Sequence, residues 1–145
     1  MIMQQRTVFQ PHSVVLLFVL VLLSWTAGGN DMKSPTSISA AELDQLIKSG
    51  TAPVIIDARS TYEYRHGHLP GAIHMPFWKS FFLANDLTEA RDRPVVVYCQ
   101  HGPRAVIARF ALQWAGYTDV RYLDGHMSGW ENAGLPLEKA ENARD

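Results

Sequence analysis

Two kinds of apolar pattern alternate along this chain, and each predicts a different element. Between Ser39 and Gly50, the positions Leu43, Leu46 and Ile47 recur at the spacing of one helical face. Ser39 and Glu42 have the capping-box spacing, Ile38 and Leu43 stand at staple positions, and Gly50 supplies the stop, so the pattern predicts a helix here. Pro53-Val-Ile-Ile56 and Pro94-Val-Val-Val-Tyr98 are instead continuous β-branched runs, as strands covered on both faces require. Val120-Arg-Tyr-Leu123 and the short Ala72-Ile-His-Met75 are two further predicted strands. Helical spacing returns from about Arg104 to Ala115, where Ile107, Phe110, Ala111 and Trp114 are expected to form the buried face and Gly116 the stop. Alternating strand and helix predicts an α/β domain of three layers, a central parallel sheet with helices on both faces.

The ends of the chain do not fit this alternation. Val14 to Leu23 is an unbroken apolar run behind Arg6, and ten residues span only about 15 Å as a helix, short against about 30 Å of bilayer hydrocarbon. Ala27 and Gly29 place small side chains where a signal peptidase needs them, so residues 1–29 read as a signal peptide ending before Asn30, with a short membrane anchor as the alternative. Either reading places the protein outside the cytoplasm, in the periplasm or cell envelope, with membrane contact only if the segment stays uncleaved. Residues 30–37, polar and containing Pro35, are expected to form a flexible lead, 38–138 the domain, and 139–145 a polar tail that frays.

Composition narrows the function. A formal net charge of -1 provides no basic footprint for nucleic acid. The chain has one cysteine, Cys99, so no internal disulfide can form. In an exported protein a lone thiol is an inert buried residue, an intermolecular linker or a reactive group, and its neighbours must decide.

Those neighbours favour reactivity. The segment Val95-Val-Val-Tyr-Cys-Gln-His-Gly-Pro-Arg104 reads as a buried strand ending at Cys99, a tight loop, and a helix starting near Arg104. Ligands of open α/β sheets bind at the carboxyl ends of strands, facing helix N-termini whose unpaired N–H groups favour a thiolate. Gly102 lets the backbone curl toward the sulfur, and successive N–H groups in such a curl make an anion-binding nest. Gln100, His101, Gly102, Arg104 and Ala105 are the expected substrate-binding residues, with Arg104 placed to grip an anion through its guanidinium fork. His101 stands inside the loop, where it either touches substrate or is simply solvated.

From Ser39 to Pro136 the sequence resembles the rhodanese superfamily. The resemblance is carried by the opening helix Ser39 to Gly50, by Asp57-Ala-Arg59 with Glu63-Tyr64 and Gly67-His-Leu-Pro-Gly-Ala72, by the loop Cys99 to Arg104, and by Leu123-Asp-Gly125 with Trp130 and Ala133-Gly-Leu-Pro136. The chain departs from the family at His126, where a second glycine is common. The resemblance implies a sulfurtransferase in which Cys99 carries sulfane sulfur as a persulfide cradled by loop amides. Its donor would be a small sulfur anion, thiosulfate or a polysulfide, and its acceptor a thiol, cyanide or a protein. It implies no metal or organic cofactor, and it gives Asp57, Arg59 and Glu63 a scaffolding role.

Three other functions stand beside that one. A non-catalytic binding or sulfur-carrier module would share the fold. A cysteine-type phosphatase uses a similar cradle, but the Cys99 to Arg104 loop has six residues, the length the resemblance assigns to sulfurtransferases, whereas the related phosphatases have seven. A thioredoxin-type redox enzyme would need a resolving cysteine. His66, His68 and His74 cluster in sequence without a cysteine or carboxylate completing a metal-ligand spacing, and the resemblance, through the turn Gly67-His-Leu-Pro-Gly, implies a structural role for His68. Trp114 and Trp130 read as core aromatics.

Overall fold

The computed structural model describes residues 36–89 and 91–140. The apolar run Val14 to Leu23 lies outside them, as do most of the predicted lead and tail. Eleven elements follow in order: β1 (Ser37–Ile38), α1 (Ala40–Lys48), β2 (Val54–Asp57), α2 (Thr61–His66), β3 (Ile73–His74), a 3₁₀ turn (Phe77–Lys79), α3 (Ser80–Asp86), β4 (Val95–Tyr98), α4 (Pro103–Trp114), β5 (Val120–Leu123) and α5 (His126–Asn132). The five strands are parallel and run β1-β5-β4-β2-β3 across the sheet, which places β4 at its centre. This is the predicted α/β architecture. Ser37, assigned from sequence to the flexible lead, instead pairs with Tyr122 as part of β1, and the Thr36 carbonyl accepts from the Tyr122 N–H at 2.7 Å.

Strand alternation sorts the core into two layers. Val54, Ile56, Val95 and Val97 face Ala84, Ala105, Ala108 and Leu112 on one side, while Ile55, Val96 and Tyr98 face Leu43, Met127 and Trp130 on the other. A strand buried on both faces has no solvent side, which is why β2 and β4 show no polar alternation. Helix α1 starts as expected, with Ser39 Oγ accepting from the Glu42 N–H at 3.2 Å.

The face of α4 differs from expectation. Ala105, Ala108, Ala111 and Leu112 are buried, whereas Ile107, Phe110 and Trp114 are 41%, 55% and 78% exposed. Only Ala111 of the predicted stripe faces inward. The physical reason is distance: alanines let the α4 backbone settle close over the sheet, and the bulky residues are left for the outer side, where Phe110 meets Phe81 of α3 at 6.0 Å. Trp114 is therefore no core aromatic, while Trp130 is fully buried and its Nε1 donates to the Pro136 carbonyl at 2.9 Å. Among the described residues no helix is long and apolar enough to cross a membrane.

Candidate active site

The site is assembled at the carboxyl ends of β2 and β4, where both strands run out of partners and their chains turn away. β4 delivers Cys99 at its end, 1% exposed, and α4 begins four residues later with Pro103 at its first position, where a missing N–H costs nothing. Gly102 joins the two at φ 128, a conformation that side chains rarely adopt. That turn aims the Gly102 N–H at Cys99 Sγ, 3.0 Å away. The Gly102 carbonyl accepts from Ala105 and Val106, closing the first turn of α4, and among the described residues the N–H groups of Gln100 and His101 have no acceptor. The Cys99 and Gln100 carbonyls accept from the Met127 and Ser128 N–H groups, which fastens the loop to α5.

A polar frame stands behind the loop. Asp57, fully buried at the end of β2, accepts from the Arg59 backbone N–H at 2.8 Å, from Arg59 Nε at 3.1 Å and Nη2 at 2.8 Å, and from the Tyr98 hydroxyl at 2.7 Å. Tyr98 in turn accepts from the Leu69 N–H at 3.1 Å, and Arg59 donates to the Gly67 carbonyl at 2.6 Å. Burial, with Asp57 beside it, pushes the Tyr98 phenol well above its ordinary pKa, so it stays a neutral donor. Three chain segments, at Asp57–Arg59, Gly67–Leu69 and Tyr98, are thereby locked around the base of the site.

The second pair lies at the rim. Ser60 and Glu63 form a full capping box at the start of α2, and Glu63 then receives Arg104 through two hydrogen bonds of 2.7 and 2.8 Å. The Arg104 fork, helped by Ser60 and opposed by partial burial, holds the Glu63 carboxyl well below the usual range, at about 2. Glu63 raises Arg104 reciprocally, with a smaller contribution from the Cys99 sulfur.

The structure thus brings Cys99, Gln100, His101, Gly102, Arg104 and Ala105 together around one loop, with Asp57, Arg59 and Glu63 behind it. Their tasks are more divided than the sequence suggests. The Gln100 side chain accepts from Arg59 Nη1 at 3.3 Å and donates toward Ser128 and Glu131, so it ties the frame to α5 and offers the loop only its N–H. Ala105 is buried and its N–H is spent on Gly102. Both terminal nitrogens of Arg104 rest on Glu63. His101 is exposed.

The three clustered histidines are placed separately. His66 Nδ1 lies 2.7 Å from the Tyr62 carbonyl, His68 Nδ1 2.9 Å from that of Tyr64, and His74 Nε2 3.1 Å from that of Arg59. The rings of His68 and His74 stack with Tyr64 at 3.8 and 4.7 Å. Two participants escaped the sequence reading. Tyr98 was legible as the one hydroxyl in an aliphatic buried strand, which must find a partner, and Ser60 as the first residue of a Ser-x-x-Glu box.

The rhodanese-like domain profile matches residues 39–133. Over 107 residues the chain is 34% identical to the thiosulfate sulfurtransferase GlpE of Actinobacillus succinogenes, covering 72% of this chain and 92% of that protein. Among solved structures, the human single-domain sulfurtransferase TSTD1 superposes with a TM-score of 0.60 at 27% identity, covering 68% of this chain and 96% of its own. A rhodanese-related protein from Thermoplasma volcanium gives a TM-score of 0.61 at 28% identity, covering 71% and 97%. Several curated relatives are longer, and the chain spans about half of their length or less.

Proposed function

Because this chain belongs to the rhodanese-like domain family, we propose that it is a thiosulfate-type sulfurtransferase in which Cys99 carries the transferred sulfur as a persulfide. The observation that carries this reading is the Gly102 N–H aimed at Cys99 Sγ from 3.0 Å, at the mouth of a loop whose Gln100 and His101 amides are also turned to no other acceptor. Preorganised amide donors around a sulfur stabilise negative charge there without reorganisation.

In the first step the Cys99 thiolate attacks the outer sulfur of thiosulfate. The Cys99 S–S bond forms, the donor's S–S bond breaks, and sulfite leaves with that electron pair. The terminal sulfur keeps one negative charge, and the loop amides hold it. In the second step a nucleophile, a thiolate or cyanide, attacks this terminal sulfur. It departs as a persulfide or thiocyanate, and the Cys99 thiolate is regenerated. The six-residue loop supports one sulfur atom better than a phosphate, whose three oxygens would each need donors at about 1 to 3 kcal/mol per unpaired group.

Intact-mass measurement after exposure to thiosulfate tests the reading. A gain of about 32 Da, reversed by cyanide with release of thiocyanate and absent in Cys99→Ser, is expected. Hydrolysis of p-nitrophenyl phosphate faster than consumption of thiosulfate would replace this reading with the phosphatase one. We place the enzyme in the cell envelope on the strength of the apolar run Val14 to Leu23, and N-terminal sequencing of the exported protein should begin near Asn30.

A further inference from the structure

The turn between β5 and α5 holds a residue that local physics disfavours. Gly125 and His126 are consecutive left-handed positions, at φ 71 and 52, and His126 is the one non-glycine with positive φ among the described residues. Glycine adopts this conformation freely, but a histidine there carries backbone strain. The side chain adds a second penalty, because its Nδ1 is buried without a hydrogen-bond partner. Two costs at one residue call for a compensating role.

The position of the ring supplies one. His126 Nε2 and Cδ2 lie 3.2 and 3.6 Å from the place a Cβ would occupy on Gly102, so the imidazole fills the space over the residue whose N–H points at Cys99 Sγ. Its other face meets Tyr122, with ring centroids 6.1 Å apart and planes at 68°. A hydrogen on the sealed Nδ1 would be a buried unsatisfied donor, which favours the tautomer with its hydrogen on Nε2, at the edge facing the loop. The charged and titratable groups around it are Asp124 at the end of β5, His101 from the loop, and Tyr122. Burial lowers the His126 pKa, Asp124 opposes that, and His101 adds to it, so the shift favours the neutral ring.

The two guanidinium groups near Cys99 are paired with carboxylates, and His101 stands exposed on the loop. Arg104 rests its two terminal nitrogens on Glu63, and Arg59 is held by Asp57, Gly67 and Gln100. The amides of the loop suit the sulfur, but an oxygen-bearing donor also brings a sulfonyl group that must be oriented while the S–S bond breaks. We propose that His126 is a substrate-binding and specificity-determining residue, donating its Nε2–H to a sulfonyl oxygen of thiosulfate or an organic thiosulfonate on the Gly102 side of the Cys99 loop. The inference rests on Cys99 being the sulfur acceptor. The atom that departs as sulfite or sulfinate gains charge on these oxygens as the S–S bond opens, so the same hydrogen bond strengthens along the step. Polysulfide, which has no oxygen, makes no use of it.

His126→Gly and His126→Gln separate this role from packing. Glycine removes the imidazole and relieves the backbone, so the variant should melt at or above the parent temperature; glutamine returns a neutral N–H donor near the Nε2 position. Single-turnover loading of Cys99, followed by intact mass, should slow tenfold or more with thiosulfate in His126→Gly, change less than about twofold with inorganic polysulfide, and recover in part in His126→Gln. Equal losses with both donors, or no loss with either, would overturn the assignment, as would a parent protein that loads from polysulfide alone. A parent protein that loads from neither donor removes the persulfide reading itself and this assignment with it.

Discussion

Two carboxylate–guanidinium pairs flank Cys99, similar in chemistry and opposite in surroundings. The Asp57–Arg59 pair has side chains 0% and 4% exposed and sits among Tyr98, Gly67 and Gln100, which satisfy its remaining atoms. The Glu63–Arg104 pair has both side chains 28% exposed, with water available to either partner. Removing one member of the first leaves a charge stranded in the protein, whereas removing one member of the second lets solvent take its place. Burial, more than pairing, therefore decides which is frame and which is rim.

The largest expected effect is on the frame. Asp57→Asn keeps the shape but strands Arg59, and should cost about 3 to 5 kcal/mol in urea unfolding. A loss below about 1 kcal/mol would erase the distinction between the pairs. Next comes Arg104→Ala, for which stability and activity should separate. Unfolding should lose no more than about 1 kcal/mol, because exposed pairs contribute little, while kcat/KM for thiosulfate should fall by the equivalent of about 1.5 to 3 kcal/mol as the cation beside Cys99 is lost. A drop in stability as large as that of Asp57→Asn would show the rim to be frame as well.

The smallest effect is a pH dependence. Glu63 titrates near 2 in the folded protein against an ordinary 4.5, so its pairing stabilises the fold fully above about pH 4.5 and is lost as pH falls toward 2. The difference in melting temperature between the parent and Glu63→Gln should be constant from pH 5 to 7 and shrink toward zero near pH 2. A difference that grows on acidification would contradict the sign of the Glu63 shift.

The strands and the position of Cys99 were legible because continuous β-branched runs have few other interpretations, and a glycine followed by proline marks a helix start. Helix α4 shows the limit: periodicity defines an axis, but which side meets the sheet depends on how closely the backbones approach, and that favoured Ala105, Ala108 and Ala111 over Ile107, Phe110 and Trp114. The task of Arg104 was hidden for another reason. Its partner Glu63 lies 41 residues away, as Asp57 does from Tyr98, and neither local spacing nor composition encodes such a pairing. His126 was visible as a departure in sequence, but its left-handed backbone and sealed Nδ1 arise only when α5 packs against the loop.

The central place of β4 in the strand order has a consequence for hydrogen exchange. Val95 to Tyr98 is bonded on one side to β2 and on the other to β5, while the edge strands β1 and β3 have two residues each. The edges should exchange through local opening, and the amides of β4 only when the whole domain opens. The next residues along the chain, Gln100 and His101, should exchange rapidly, since their N–H groups have no acceptor among the described residues. Protection should thus fall from its maximum to near its minimum across Cys99, leaving the sulfur at the end of the least mobile strand while the amides around it remain open to whatever anion arrives.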